Sequence, residues 1–317
     1  MSPGLKNNLF AEEQRRLGNR RNCLWLRARL VQAIRRFFIE NNYLEVETPQ
    51  LIPTPPPEVH INLIRAGSRY LQGSPELCMK RLLAAGYPRI FQISKCFRDG
   101  ERGNFHLPEF TLLEWYRADI DYEMLMEECE ALILSVSKGV STSDNMHFQG
   151  IEVDLTLPWE RISVAEAFDL YASMSLEVAL EKGRFEEIMV QEIEPNLGII
   201  KPTFLHDYPI SYAALARPKK DTPEVAERFE IYIAGIELAN GFSELTDPRE
   251  QRIRFERDRR IRQNSGKQVY PMAEKFLKSL ERIPEAAGIA LGVDRLTMIF
   301  ADTPRIEDVV SFTPEEL

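Results

Sequence analysis

The sequence predicts an α+β fold, a mainly antiparallel sheet flanked by helices. Strand-like runs outnumber simple alternation of strand and helix. Two of them, residues 89–97 and 110–117, flank a charged, glycine-containing loop at 98–107 and read as a hairpin, a place where function tends to sit. At 317 residues the chain can bury a large core. Hydrophobic residues make up 44% and charged residues 28%, as in ordinary globular proteins. No apolar run approaches the ~20 residues of a membrane span, and residues 1–14 lack a signal peptide's apolar stretch. Cys23, Cys78, Cys96 and Cys129 are scattered, without disulfide or zinc spacing, and read as thiols of a reducing cytoplasm. The net charge of −9 and pI near 5.3 disfavour a protein that works by neutralising nucleic-acid phosphates.

Residues 1–20 are polar apart from Leu9 and Phe10 and read as a loose leader, with 21–317 as the folded domain. A helix over 22–40 places Leu26, Leu30, Ile34, Phe37 and Phe38 on one face. Asn41-Asn42 ends it, 43–49 is extended, and the prolines of 53–57 mark a loop. Ser74-Pro75 opens the next helix, as N-cap and first-turn proline, and Gly86 closes it. After the hairpin, 124–137 is a helix and 142–150 a polar break. Ser163 and Glu166 have capping-box spacing. Residues 229–233 and 235–241 alternate as strands, and Asp247-Pro248 with Glu250 starts a helix carrying six arginines between Arg252 and Arg262. Interleaved Glu256 and Asp258 mark that helix as a solvated, salt-bridged face. Last, 288–293 is a buried strand feeding a helix that starts near Asp294.

Neither G-x-x-x-x-G-K-[ST] nor G-x-G-x-x-G occurs, so neither common glycine-rich nucleotide loop is present. Three clusters carry chemistry instead. On the hairpin's second strand, period two puts Phe110, Leu112, Glu114 and Tyr116 on one face, with Arg98 at the end of the first strand. A guanidinium there can grip a phosphate, and an aromatic ring can stack on a base. In GIELANGFSE, residues 235–244, Glu237 and Asn240 straddle a bend with Glu244 close behind. Such crowded carboxylates call for a cation, Mg²⁺ or a ligand ammonium. In GIALGVDRL, residues 288–296, glycines permit close approach of a ligand and Arg295 adds charge at a helix start.

These segments, with FIENNYLEVETP at 38–49, resemble the ordered signature motifs of class II aminoacyl-tRNA synthetases. GSPEL at 73–77, PEFTLLEWY at 108–116 and GIELANGF at 235–242 are similar to lysyl-tRNA synthetase in particular. The resemblance spans residue 23 to the C-terminus and implies the class II catalytic fold, a homodimer and formation of an aminoacyl adenylate from ATP. It implies that Arg98 grips the α-phosphate, with Asp99, Gly100, Leu238 and Gly292 around the nucleotide. Phe110 would stack on adenine and Arg295 hold the γ-phosphate. Glu237 and Glu244 would serve Mg²⁺–ATP and the substrate amines, and Ser74, Glu76, Tyr116, Asn240 and Ala290 would line the amino-acid pocket.

Only about 20 residues precede the core, too few for the anticodon-reading β-barrel of lysyl-tRNA synthetases. A stand-alone core of this kind resembles the elongation factor P–(R)-β-lysine ligase family, in which Ala also replaces the glycine that synthetases prefer at position 290. That likeness implies (R)-β-lysine or lysine as substrate and a lysine of elongation factor P as acceptor. The cysteine usage and the lack of a long apolar run point to the cytoplasm with no membrane partner, and the acidic balance disfavours tRNA. Two departures touch the adenine side: Gly100 stands where the family has an acid, which here follows at Glu101, and Leu107 stands where it has Asn. A tRNA-charging enzyme and a lysine-sensing module without catalysis are the alternatives. An asparagine-synthetase-like amide former would need a cation where Glu76 and Glu244 stand.

Overall fold

The computed structural model describes residues 12–317 apart from 141, 142, 144 and 214. Most of the expected leader, residues 1–11, therefore lies outside the described residues. Its end does not match a loose leader: residues 12–19 are helical. Arg16 and the buried Arg20 both pair with Glu316, at 2.7 and 2.8 Å, which ties this turn to the C-terminus.

Helix α1 (Arg21–Glu40) buries Leu30, Ile34, Phe37 and Phe38, the stripe that its spacing requires. Strand β1 (Leu44–Glu45) follows. Strands β2 (Leu51–Ile52), β3 (Arg65–Ala66) and β4 (Arg69–Leu71) form a small side sheet. In front of α2 (Glu76–Ala84) the Ser74 hydroxyl accepts from the Glu76 N–H at 3.0 Å. Strands β5 (Arg89–Phe97) and β6 (Glu109–Ala118) make the expected hairpin, and α3 (Tyr122–Val140) follows. The break expected at 142–150 begins at Thr142, outside the described residues. Its later part is a second hairpin, β7 (Asn145–Phe148) and β8 (Ile151–Asp154), turning at Gln149-Gly150 with both φ angles positive.

Strand β9 (Glu160–Ser163) leads through the Ser163/Glu166 capping box into α4 (Val164–Tyr171). Short helices α5 (Leu176–Glu181) and α6 (Phe185–Ile188) connect to β10 (Thr203–Pro209). Strands β11 (Val225–Ile233) and β12 (Ile236–Ser243) are joined by Ala234-Gly235, a tight turn with φ +51° and +75°. The arginine-rich α7 (Pro248–Asn264), α8 (Glu274–Leu277), β13 (Ala286–Gly292) and α9 (Val293–Phe300) complete the order.

Eight strands form the main sheet in the order β1-β5-β6-β13-β12-β11-β10-β9. Every internal pair is antiparallel and only the two edge pairs, β1·β5 and β10·β9, are parallel. The mainly antiparallel α+β expectation is met. One face packs on α1, α3 and α9, where Phe38 stacks on Phe91 at 4.6 Å beside Trp115. The opposite face is left to the site, because Leu113 and Trp115 point into the core and Leu112, Glu114 and Tyr116 point away from it. No helix among the described residues is long and apolar enough to cross a membrane.

The expectation of a solvated arginine helix fails for Arg254 and Arg262, both buried. Arg262 donates to the carbonyls of Glu58 (2.6 Å), Ile61 (2.8 Å) and Gln268 (2.6 Å) and to the Asn62 side chain (3.0 Å). It thus staples the 58–62 segment to α7. A buried acceptor left without its donor costs about 1–3 kcal/mol, so Arg262→Ala is expected to lower stability by about 3 kcal/mol or more. Urea unfolding checks this, and an unchanged midpoint would show that the staple is dispensable.

Candidate active site

A cavity of about 970 Å³ opens on the sheet face opposite the α1/α3 core. Strand register builds its floor. Gln92, Glu114, Ala290, Asn240 and Glu230 are successive cross-strand partners from β5 to β11, so they form one row across the sheet. In the neighbouring row Tyr116, Gly288 and Phe242 are partners. A methyl on Gly288 would lie 2.3 Å from the Tyr116 ring and 2.9 Å from a Glu244 oxygen, so only glycine lets the strand pass there.

The deep end of the cavity is acidic. Glu114 is 1% exposed and accepts from the Ser74 hydroxyl at 2.6 Å and from the Tyr116 hydroxyl at 2.9 Å. Glu76, at the start of α2, and Glu244, just past β12, share the ammonium of Lys80 at 2.6 and 2.5 Å. Lys80 is itself fully buried on α2, 4.8 Å from the Phe242 ring. Three carboxylates therefore face one cation. Burial, with Glu76 adding to it, pushes the Glu114 carboxyl up to about 8. Burial pushes Glu244 the same way, against the pull of Lys80. The two carboxylates in turn hold Lys80 protonated despite its own burial.

The outer end carries the arginines. The Arg98 guanidinium lies 5.1 Å over the Phe110 ring and 3.6 Å from Glu101. Arg295, in the first turn of α9, donates to the Glu237 carbonyl at 2.7 Å and meets the Glu237 carboxylate at 3.2 Å and His106 Nε2 at 2.7 Å. Burial and then Arg295 hold the His106 imidazole below its ordinary range. Behind Asn240, Glu230 accepts from the Tyr208, Tyr232 and Arg228 side chains at 2.6, 2.7 and 2.5 Å. Burial and then Glu237 raise its pKa. Asp294 fixes this end: it pairs with Arg27 of α1 at 2.5 Å and accepts from the Thr111 N–H at 2.7 Å, locking β6 to α1 and α9.

Of the residues singled out in the sequence, Ser74, Glu76, Arg98, Phe110, Tyr116, Glu237, Leu238, Asn240, Ala290, Gly292 and Arg295 all line this cavity. Asp99, Gly100 and Glu244 do not: Asp99 and Gly100 are exposed in the hairpin loop, where the Asp99 N–H donates to Asn62 and Gly100 adopts φ +78°, and Glu244 is buried against Lys80. Glu101 is on the wall instead, so the displaced acid still meets Arg98. Leu107 is buried against Met298, Ile306, Val309 and Val310, and anchors the C-terminal segment. Glu237 and Glu244 are not a pair: one faces Arg295 at the cavity and the other is buried against Lys80. The carboxylate beside Glu237 is Glu230, which the sequence reading missed, as it missed Lys80. Period-two spacing in 228–233 offered a signal for Glu230; nothing marked Lys80.

An antiparallel sheet that presents a hairpin arginine, a stacked phenylalanine and a helix-start arginine around one deep cavity defines a class II synthetase-type domain. The family model "tRNA synthetases class II (D, K and N)" matches residues 13–316, and the chain belongs to this family. It is 41% identical to an elongation factor P–(R)-β-lysine ligase of Proteus mirabilis over 304 residues, 90% of this chain and 93% of that one. The ligase of the same name from Vibrio cholerae is 39% identical with the same coverage. A lysine–tRNA ligase of Moorella thermoacetica is 37% identical over 314 residues, with the match covering 64% of its length. The chain is a ligase, and ligases of this class use ATP.

The raised Glu114 carboxyl has a consequence for stability. A carboxyl that binds its proton more tightly folded than unfolded stabilises the fold below its unfolded pKa, about 4.3. That contribution is lost as pH rises through the folded value of about 8. Stability of the ligand-free protein is expected to fall across this window, and Glu114→Gln is expected to flatten the slope. Melts over a pH series check it; an unaltered slope in the variant would remove Glu114 as the cause.

Proposed function

We propose that the chain is an elongation factor P–(R)-β-lysine ligase: it activates (R)-β-lysine as its adenylate and transfers it to a lysine side chain of elongation factor P. The observation that carries the substrate class is the acidic pocket. Glu76, Glu114 and Glu244 outnumber Lys80 in a buried space, so the site is short of positive charge, and a substrate bearing two amines supplies it. The acceptor rests on the names of the two ligases that match nearly end to end.

Each site residue then has a role. Glu76, Glu114 and Glu244, with Tyr116 and Ser74, orient the substrate amines, and Asn240 and Ala290 shape the floor between Glu114 and Glu230. Arg98 leaves Glu101 for the α-phosphate, while Phe110, which it covers in the free protein, stacks on adenine. Arg295 exchanges His106 for the γ-phosphate. Leu238 and Gly292 wall the nucleotide side. Asp99 and Gly100 act only by shaping the loop. Glu237 fits Mg²⁺: its carboxylate is 37% exposed at the cavity, beside the buried Glu230, and oxygen donors suit that ion. Glu244 does not fit, because Lys80 already occupies its carboxylate. When bound, Mg²⁺ would neutralise phosphate charge.

The substrate carboxylate attacks the α-phosphorus in line and pyrophosphate leaves. The protein supplies position and charge and no nucleophile. Trp25, Ile39, Leu44 and Leu51 are exposed on α1 and the strands after it, which supports a homodimer through that surface. The enzyme would act in the cytoplasm.

ATP–pyrophosphate exchange tests the reading. Exchange should be strongest with (R)-β-lysine, weaker with lysine and absent with aspartate; exchange with no amino acid at all would sink it. Arg98→Ala is expected to lower exchange by about a thousandfold while the fold persists, since charge stabilisation at the reacting centre is worth that much. Ala290→Gly, which removes the only side chain between Glu114 and Asn240, should raise exchange with lysine relative to (R)-β-lysine; an unchanged ratio would free position 290 of any part in substrate choice.

A further inference from the structure

The cavity has an arm that activation leaves unused. It runs between α7 and the 58–62 segment, and Glu58 stands in its wall. The Glu58 backbone is fixed, since Arg262 takes its carbonyl at 2.6 Å and Lys267 takes that of Val59 at 2.9 Å. Its carboxylate, by contrast, has neither a hydrogen bond nor an ion pair with any described residue. The charges acting on it are Glu76 of α2, Arg98 of the hairpin, Asp258 of α7 and Arg228 of β11. Glu58 lines the same cavity as Glu76 of the amine pocket and Arg98, the arginine assigned to the α-phosphate, between which an acyl carbon would sit. The other ionisable groups of the arm are engaged: His60 with Glu186 at 3.5 Å, Asp258 with Arg257 at 3.3 Å.

We propose that Glu58 is the general base of the transfer step, receiving a proton from the acceptor lysine's ammonium as it enters through this arm. The proposal rests on the reading that the acceptor is an amine. Such an ammonium, with a pKa near 10.4, has no lone pair to offer near neutral pH. Glu58 takes one proton. The freed nitrogen pair forms the C–N bond to the adenylate carbonyl, and the C–O bond to phosphate breaks with its electron pair going to the phosphate oxygen. The nitrogen's surplus proton leaves with AMP. Burial, with Glu76 adding to it, lifts the Glu58 carboxyl to about 7, where a base both accepts a proton and releases it again.

The test separates the two half-reactions. Wild type and Glu58→Gln are loaded with (R)-β-lysine and ATP, and transfer to purified elongation factor P is followed in a single turnover across pH. Exchange with pyrophosphate should be unchanged in the variant, whereas transfer near pH 7 should fall by about a hundredfold or more. Raising the pH should restore it, because the acceptor then loses its proton unaided. Hydroxylamine, neutral near pH 7, should capture the adenylate equally from both proteins. Equal transfer by both proteins, or joint loss of exchange and transfer in the variant, overturns the role of Glu58. A wild-type enzyme that exchanges but leaves elongation factor P unmodified sinks the acceptor reading, and the base with it.

Discussion

Carboxylates confined in an apolar-walled pocket repel one another, and each loses the water that would solvate its charge. Glu76, Glu114 and Glu244 live under that constraint, and much around them exists to make it tolerable. Lys80 bridges two of them from inside the protein. Ser74 and Tyr116 give their hydroxyl protons to the third. Gly288 keeps its side of the strand bare so that the Tyr116 ring can lie across it. The compensation is incomplete by design of the fold, leaving Glu114 partly protonated near neutral pH. A pocket in this state gains most from a ligand that brings positive charge, and gains nothing from a second carboxylate.

The sheet delivers these groups through register. In the antiparallel interior, partners on adjacent strands point to the same face, so one row carries Glu114, Ala290, Asn240 and Glu230 side by side although they lie far apart in the chain. A slip of one residue on β13 would turn Ala290 into the core and bring a bulky Ile289 or Leu291 onto the floor. The register is held at its end by Asp294, which ties α9 to the Thr111 N–H and to Arg27. Core and site are thus two faces of the same strands: Trp115 fixes β6 from behind while Glu114 and Tyr116 work in front.

What the sequence shows, and what it hides, follows from this. Strand alternation placed Glu114 and Tyr116 on one face and gave β5 its true limits, because period two depends only on neighbours. Cap residues marked α2, α4 and α7 for the same reason. Lys80 and Arg262 were invisible, since a cation on a helix looks solvated until the partners that bury it are known, and those partners are remote in the chain. The pairing of Glu237 with Glu244 failed on a related ground. Proximity in sequence puts them together, but seven residues of extended strand separate them by roughly 23 Å, and each meets a different cation. The small edge pair β9·β10 also escaped, as a parallel contact depends on segments some forty residues apart.

The two ends of the cavity differ in how their charges are held, and this difference divides the labour. Arg98 rests on a half-exposed ring and a half-exposed carboxylate, and Arg295 on a histidine and a carboxylate at the cavity mouth. Partly solvated pairs of this kind are worth little, about 1 kcal/mol or less, so a ligand anion of the kind proposed could replace them at small cost. Lys80 has no such freedom, because either carboxylate left alone in its pocket would bear a full desolvation penalty. On the proposed reading, the nucleotide end is therefore adjustable and the amine end preset. Both departures from the family pattern, Gly100 and Leu107, fall at the adjustable end, where a neighbouring Glu101 and a hydrophobic anchor absorb them. On the proposed reading, selection of the substrate falls to the deep end, where nothing can move without exposing a buried charge.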